Sequence, residues 1–355
     1  MRRRPRHHHS NPRGERSPRT PGAIEVGLPI RSRSRRCGVV KSTPTGSTSA
    51  RLAYAVKPLS WPKLLVPAFF GQALGFATTG TFSWPGLVVG ALYVVTHLLM
   101  VVLLNGYADR KVDAIKREMF AREGSPKTIP DGILSERAVL ALGIAALAAC
   151  GAVAFFSELL LGRPGLFALG VGGIAIFLAY SFPPLRLNYR GGGELLEAFG
   201  VGYFLPAFEA LLQGGTVEAI RSPLYVGTVF FAASSAVASG LSDERSDVRG
   251  GKRTAVTVFG NARARAAILA LAFAGALAWA AAAPASGLHP ALALALIALV
   301  APNLARLPKL ARGAVTDAFA AQAALKDELH RVIWRGTALL GVALVAQRLY
   351  ESSRP

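Results

Sequence analysis

The chain contains 355 residues, of which 52% are hydrophobic and only 17% are Asp, Glu, Lys or Arg. A soluble domain usually has about 25% charged residues, so this composition favours a membrane protein over a soluble all-α enzyme. The two cysteines, Cys37 and Cys150, lie in a basic segment and in an apolar run. Their positions indicate neither a disulfide framework nor a zinc site.

The first 50 residues differ in composition from the rest of the chain. Residues 1–56 contain thirteen Lys and Arg but only two Glu, and this region is rich in Ser, Pro and Gly. Such a segment cannot bury a core and lacks the apolar stretch of a signal peptide. We therefore expect residues 1–50 to be a disordered basic tail and residues 51–350 to form a transmembrane domain. A basic tail can contact anionic lipid, but we expect no nucleic-acid partner.

Apolar stretches of about 20 residues recur after this tail, and a helix needs about that length to cross a bilayer. Because only helices and closed barrels satisfy their backbone polar groups in lipid, the pattern predicts an all-α polytopic membrane protein. Eight or ten spans remain alternatives to nine, since Ala-rich runs blur their ends. A polar segment, 306–335, precedes the last span and has a partly helical pattern. The nine predicted spans are residues 59–79, 84–104, 138–161, 166–182, 195–212, 224–241, 266–283, 289–304 and 336–346.

Two acidic clusters directly follow apolar spans. The first contains Asn105, Asp109 and Asp113, which are spaced four apart and would share one face of a helix. The second contains Asp243 and Asp247. Carboxylate and amide oxygens suit Mg²⁺, which in such sites usually also holds substrate phosphates. The pair of clusters therefore predicts one site for Mg²⁺ and a diphosphate.

Basic residues are concentrated in alternate loops. The loops after spans two, four, six and eight carry most Lys and Arg, whereas the loops at 78–83, 162–165, 214–222 and 284–288 are short and nearly neutral. By the positive-inside rule, the N-terminus and the basic loops are cytoplasmic. Both acidic clusters would then lie on the cytoplasmic side of a bacterial-type inner membrane.

The chain from about residue 55 to the last span resembles the UbiA-type intramembrane prenyltransferases. Residues 180–187 are similar to the family's loop after span four. Gly106 stands where Asp is common, and 125–132 replaces an Arg-Pro-x-x-x-Gly pattern, so Lys127 is expected to supply that charge. The first family motif matches at Asn105, Asp109 and Asp113, and the second, Asp-x-x-x-Asp followed by Gly-Lys-x-Thr, matches at Asp243, Asp247, Gly251, Lys252 and Thr254.

The resemblance implies about nine helices around a central cavity, and transfer of a prenyl chain from a polyprenyl diphosphate to an aromatic acceptor. Membrane lipid is a further expected partner. Residues 188–194 are similar to the segment after span four in 1,4-dihydroxy-2-naphthoate prenyltransferases, which points towards quinone biosynthesis. Other aromatic, chlorophyllide or haem acceptors remain open. The expected Mg²⁺ ligands are Asn105, Asp109, Asp113, Asp243 and Asp247, of which the four aspartates are the expected catalytic residues. The expected substrate-binding residues are Asn105, Lys116, Lys127, Lys252 and Arg253.

Two other functions compete with prenyl transfer. A phosphatidyl-type transferase also uses Mg²⁺ and spaced aspartates, but its single Asp-Gly-x-x-Ala-Arg region is absent from this sequence. A cation-coupled transporter would favour acidic residues near the middle of spans, whereas these lie at span ends. For Lys57 we expect a role in topology or in contact with lipid head groups. For His97 we expect hydrogen-bonded packing.

Overall fold

The computed structural model describes residues 47–121, 123 and 125–354, all within one compact unit. The expectation of a disordered tail falls almost wholly outside these residues. The described chain is mostly helical and contains no strand. A π-helical turn, Gly200–Phe204, joins α8 to α9, and short 3₁₀ turns precede α2 and α12. The helices are α1 (Thr48–Ala55), α2 (Pro62–Thr79), α3 (Trp84–Ala108), α4 (Arg110–Met119), α5 (Glu136–Leu161), α6 (Leu166–Ser181), α7 (Leu187–Arg190), α8 (Gly193–Phe199), α9 (Leu205–Gly214), α10 (Val217–Ile220), α11 (Leu224–Gly240), α12 (Glu244–Arg249), α13 (Ala255–Phe259), α14 (Asn261–Ala285), α15 (Pro290–Gly313) and α16 (Phe319–Ser352).

The described part of the chain has seven helical segments that are long and apolar enough to cross a membrane. They comprise α3, α5, α8 with α9, the stretch from α10 to α12, α14, α15 and α16. Each of the nine predicted spans falls on a helix, but α2 is not among the seven and α6 has only 16 residues. The all-α polytopic architecture is therefore confirmed, whereas the count of nine is not. Large apolar side chains such as Trp84 and Leu160 are exposed, as expected of an integral membrane protein that faces lipid.

The last predicted span is much shorter than the helix that contains it. Helix α16 has 34 residues, so most of the predicted polar segment 306–335 is helical and lies within α15 and α16. One of its charged groups is buried and paired: Glu328 accepts a hydrogen bond of 2.6 Å from Asn303 Nδ2 and forms an ion pair with Arg331. Average hydropathy treats such residues as water-exposed, which is why the sequence pattern placed the boundary of the span too late.

Three buried clusters hold the bundle together. One joins α2, α3, α5, α6 and α9, and another joins α11, α13, α14, α15 and α16. The third contains Phe70 of α2, Tyr225 of α11 and Leu340 of α16, and therefore connects the first two groups. The short helices α4 and α12 contact each other where α3 and α11 end, so these ends lie on the same side of the bundle.

Helices α2 and α9 approach each other closely at two glycines. A Cβ atom on Gly71 would lie 2.2 Å from the carbonyl oxygen of Pro206, and one on Gly75 would lie 2.3 Å from another α9 carbonyl. Between these glycines, Gln72 Nε2 donates a hydrogen bond of 2.6 Å to Glu209 Oε2. Small residues permit such contact between membrane helices, and the buried polar pair fixes its register.

We expect Gly71→Ala to lower the thermal unfolding temperature of the detergent-solubilised protein, because the added methyl group forces α2 away from α9. Overpacking of this kind typically costs about 1–3 kcal/mol. Gly151→Ala is the matched control, since a Cβ there would meet no atom within 4 Å. Equal unfolding temperatures for the two variants would contradict the close contact.

Candidate active site

The first acidic cluster lies where α3 passes into α4. Asp109 occupies the junction, so the motif is not on one uninterrupted helix as the spacing predicted. The i to i+4 pattern nevertheless persists, because the backbone N–H of Asp109 donates to Asn105 and that of Asp113 donates to Asp109, each at 2.9 Å. Asp109 and Asp113 are both buried. A Cβ on Gly106 would meet nothing within 4 Å, so packing does not require glycine where the family commonly has Asp.

The second acidic cluster lies at the end of α11. Asp243 ends the 3₁₀ turn and Asp247 lies in α12, where it is buried. The backbone N–H of Lys252 donates to the Asp247 carbonyl at 2.8 Å. Gly251, with φ +73°, makes the turn that returns the chain towards the site. These contacts place Lys252 beside the cluster.

Two lysines reach from one acidic cluster to the other. Lys116 of α4 forms an ion pair with Asp243 and also donates to the Ser242 carbonyl at 2.8 Å. In the opposite direction, Lys252 Nζ lies 2.7 Å from Asp109 Oδ2. The structure therefore brings the two clusters, which are far apart in sequence, to one place at one end of the bundle.

A third lysine comes from the loop between α4 and α5. Lys127 Nζ lies 2.5 Å from Asp113 Oδ1. Asp131 holds this loop: it accepts two hydrogen bonds from Arg117, at 2.6 and 2.9 Å, one from Tyr54 at 2.6 Å and one from the Lys127 backbone at 2.8 Å. This network positions Lys127. Neither Asp131 nor Arg117 was predicted from the sequence to have a role.

The neighbouring carboxylates keep Lys252 and Lys127 charged. Burial lowers the pKa of Lys252, but the carboxylates of Asp109 and Asp247 outweigh burial and raise it above its usual value. Burial also lowers the pKa of Lys127, and here Asp113 and Asp243 reverse the effect. The site is thus a dense set of buried charges of both signs.

The donor atoms of the site suit Mg²⁺, although its ligands are not preassembled. No group of three or more His, Cys, Asp or Glu that could hold a metal occurs in the described ranges. However, Asn105 Oδ1 and Asp109 Oδ1 are buried and lack hydrogen-bond partners. Oxygen ligands of this kind match a hard cation. A bound ion would compete with the lysines for the remaining carboxylate oxygens.

Not every expected residue lies inside this cluster. Arg253 is exposed and forms no ion pair within the described part of the chain. His97 is buried, with Nδ1 3.2 Å from the Tyr93 hydroxyl, in agreement with a packing role. The guanidinium carbon of Arg186 lies 3.6 Å from the centre of the Tyr189 ring. Arg186 therefore covers that face of the ring.

Two groups at the site were not recognised from the sequence. Asn188 is buried, and neither of its side-chain polar atoms has a partner. Burial and the charge of Lys127 lower the pKa of Lys57 to about 8, against the opposing effect of Asp113 and Asp109, so Lys57 lies near the first acidic cluster. Asn188 belongs to the segment that resembled an acceptor-specific motif, so that resemblance was the available signal. Lys57 resembled an ordinary positive-inside residue, and its contacts depend on tertiary structure.

A crevice near the site runs between α2, α11 and α16. Its volume is about 30 Å³ and its wall includes Lys63, Pro67, Phe231 and Trp334. This is room for about one water molecule. As it stands, this crevice is too small to hold a prenyl chain.

Residues 64–324 match the UbiA prenyltransferase family. The chain belongs to this family. Among individual relatives, chlorophyll synthase of Oryza sativa subsp. japonica is 31% identical over 150 residues, which cover 41% of this chain and 39% of the relative. The chain thus aligns with well under half the length of that relative.

Two further UbiA relatives align over longer segments. A 4-hydroxybenzoate octaprenyltransferase of Burkholderia vietnamiensis is 29% identical over 59% of this chain and 67% of its own length. A 1,4-dihydroxy-2-naphthoate octaprenyltransferase of Mycobacterium tuberculosis is 27% identical over 61% of this chain and 72% of its own. Two of these three relatives are named for an aromatic acid, 4-hydroxybenzoate or 1,4-dihydroxy-2-naphthoate, and the third is named for chlorophyll.

The fold is also similar to solved UbiA structures. A UbiA homologue from Archaeoglobus fulgidus bound to DMAPP and Mg²⁺ aligns with a TM-score of 0.62, at 19% identity, over 83% of this chain and 99% of the homologue. The apo structure of a homologue from Aeropyrum pernix K1 aligns with a TM-score of 0.58, at 21% identity, over 77% and 96%. At this identity the likeness establishes a shared fold.

We expect Asp131→Asn to increase hydrogen–deuterium exchange in the loop that carries Lys127, because Arg117 loses its ion pair. Burial raises the pKa of Asp131, but hydrogen bonds from Arg117 and Tyr54 outweigh it and lower this pKa. The carboxylate therefore stabilises the loop above about pH 4 and loses this effect as the pH falls through the lowered value. Wild-type exchange should approach that of the variant in acid.

The control for this prediction is Asp327→Asn, an exposed position on α16. It removes the same charge without touching the loop. If both variants exchange like the wild type at neutral pH, the proposed role of Asp131 is wrong.

Proposed function

We propose that this UbiA-family protein transfers a prenyl chain from a polyprenyl diphosphate to an aromatic acceptor within the membrane. One observation carries the proposal: the two acidic clusters lie together at one end of an apolar helical bundle. Lys116 and Lys252 each form an ion pair with an aspartate of the other cluster. A prenyl diphosphate has a charged head and an apolar tail, and this arrangement offers a charged rim beside apolar spans. The UbiA homologue from Archaeoglobus fulgidus, solved with DMAPP or GPP and Mg²⁺, supports the same substrate class.

Mg²⁺ would be held by oxygen atoms of Asn105, Asp109, Asp113, Asp243 and Asp247. When bound, the ion would neutralise negative charge on the diphosphate and make it a better leaving group. The carboxylates that turn towards an ion would release Lys116, Lys127 and Lys252. Their ammonium groups would then donate charge-assisted hydrogen bonds to diphosphate oxygens.

The reaction exchanges one bond for another. The allylic C–O bond breaks and its electron pair leaves with the diphosphate. An electron-rich carbon of the acceptor ring then forms a bond to the allylic carbon and loses its proton. The surrounding spans exclude water, which would otherwise trap the allylic cation. Family membership favours this reaction over a phosphatidyl-type transferase or a cation-coupled transporter.

The proposal also covers the identity of the acceptor and the orientation of the protein in the membrane. The segment 188–194 supports a 1,4-dihydroxy-2-naphthoate-type acceptor, while the relatives named for other acceptors make 4-hydroxybenzoate and chlorophyllide necessary comparisons. The basic loops that surround the acidic clusters support a site on the cytoplasmic side of a bacterial-type inner membrane.

The reaction can be tested with purified protein, Mg²⁺, a polyprenyl diphosphate and each acceptor in turn, with the products analysed by mass spectrometry. Failure with every aromatic acceptor would overturn it.

We expect Asp109→Asn and Asp243→Asn each to reduce prenyl transfer by at least about tenfold, equivalent to 1.4 kcal/mol in the barrier. Asn keeps the shape of the side chain but removes a charge needed to bind a divalent cation. Glu118→Gln is the control, since Glu118 is exposed and, among the described residues, forms an ion pair only with Arg249. Each variant should elute as folded protein in size-exclusion chromatography. Wild-type turnover in either aspartate variant would exclude its role as a metal ligand.

We also expect removal of residues 1–46 to leave insertion and prenyl transfer unchanged. The composition of this segment gives it no apolar face, and the cut leaves α1 intact. Arg51 of α1 must stay, because its Nε donates to the Ile133 carbonyl at 2.9 Å and so supports the loop of Lys127. Loss of activity in a truncated protein that still inserts would assign a function to the tail.

A further inference from the structure

Helix α12, which carries Asp247, is too short to hold its own position. It contains six residues, Glu244–Arg249, and Asp243 directly precedes it. A helix of fewer than about 12 residues is marginally stable without contacts from outside. The position of the second acidic cluster must therefore depend on the residues that bind α12.

One set of contacts joins α12 to α4. Lys116 forms an ion pair with Asp243, and at the surface Arg249 Nη2 lies 3.1 Å from Glu118 Oε1. The pair with Lys116 uses a carboxylate that is an expected Mg²⁺ ligand. Because a bound ion would compete for that carboxylate, this contact would weaken when the ion arrives.

A second set of contacts comes from the loop between α15 and α16, residues 314–318. Thr316 Oγ1 donates a hydrogen bond of 2.7 Å to Glu244 Oε2, and Arg245 Nη1 donates one of 2.7 Å to Asp317 Oδ2. Glu244 and Arg245 lie between the two aspartates of the second cluster. The loop thus holds α12 through side chains that are not expected Mg²⁺ ligands.

The α15–α16 loop is itself held at both ends. Ala314 is buried, and Gln322 Nε2 donates to the Val315 carbonyl at 2.7 Å. Phe319, the first residue of α16, packs edge-on against Phe120 at the end of α4, with ring centres 4.9 Å apart. The loop therefore connects α12 with the end of α4, the two short helices of the polar end.

We propose that Thr316 and Asp317 are positioning residues for the second acidic cluster. By holding α12, they keep both aspartates of that cluster in place when Mg²⁺ displaces Lys116. This inference rests on the proposed function and adds to it two residues that lie 72 positions beyond their partners. A loop without any expected Mg²⁺ ligand would thereby contribute to the affinity of the site for the ion.

The test uses Thr316→Val, Thr316→Ser and Asp317→Asn in the full-length protein in nanodiscs. Val keeps the shape of Thr without the hydroxyl group, whereas Ser restores that group. Asn removes the charge of Asp317 and tolerates its left-handed backbone, which has φ 63°. Asp327→Asn is the control, because it removes the same charge from an exposed position on α16.

We expect the double variant, Thr316→Val with Asp317→Asn, to need about threefold more Mg²⁺ or higher for half-maximal prenyl transfer. This is the scale of one exposed ion pair and one hydrogen bond to a carboxylate. Hydrogen–deuterium exchange of residues 241–250, measured with Mg²⁺ and inorganic pyrophosphate, should increase, because α12 is held less firmly. Thr316→Ser and Asp327→Asn should match the wild type in both measurements, and the KM for the acceptor should stay constant.

Three outcomes would overturn the inference. One is wild-type Mg²⁺ dependence and exchange in the double variant. Another is a lower unfolding temperature with wild-type Mg²⁺ dependence, which would assign the loop a structural role only. The third is an equal loss of Mg²⁺ affinity in Thr316→Ser and Thr316→Val, since the hydroxyl group would then not be the contact that matters. A wild type that transfers no prenyl chain at any Mg²⁺ concentration would instead contradict the proposed function, while exchange of residues 241–250 would still compare the loop variants.

Discussion

The arrangement of the polar end of this protein depends on neutralising buried carboxylates. Asp109 and Asp113 lie where the interior is a poor solvent for charge, and each has a lysine within hydrogen-bond distance. Removing one partner of a buried pair typically costs about 3–5 kcal/mol, because the other charge stays buried. Since Lys116 and Lys252 pair across the clusters, the same interactions that neutralise the aspartates also fix α4 against α12.

These ion pairs also link metal binding to anion binding. A divalent cation competes with the lysines for carboxylate oxygens, so its arrival would free ammonium groups for a diphosphate. Binding of the two would then be mutually favourable, because each compensates the charge that the other leaves exposed. A site built in this way stays electrically balanced without substrate. The unpartnered oxygens of Asn105 and Asp109 provide the first contacts that a cation could make without breaking an ion pair.

Helix α1, which precedes α2, contributes contacts to the polar end of the protein. Tyr54 donates to Asp131, and Arg51 donates to the Ile133 carbonyl. Helix α1 begins at Thr48, with Ser47 as its N-cap. The loop that carries Lys127 is thus held from both sides, by α4 and by α1.

The sequence by itself determined the helical membrane class and the positions of the apolar segments, because hydropathy is a local property. The five oxygen ligands stay a prediction from their fourfold spacing and from the family motifs. The sequence also identified Lys116, Lys127 and Lys252 as site lysines, since they lie in the basic loops beside the motifs. Tertiary structure alone decided which lysine pairs with which aspartate and how Asp131 supports the loop. It also extended α16 beyond the predicted span, where Glu328 pairs with Arg331 of the same helix and contacts Asn303 and Arg306 of α15. Pairing of charges depends on which helices meet, and no local pattern records that.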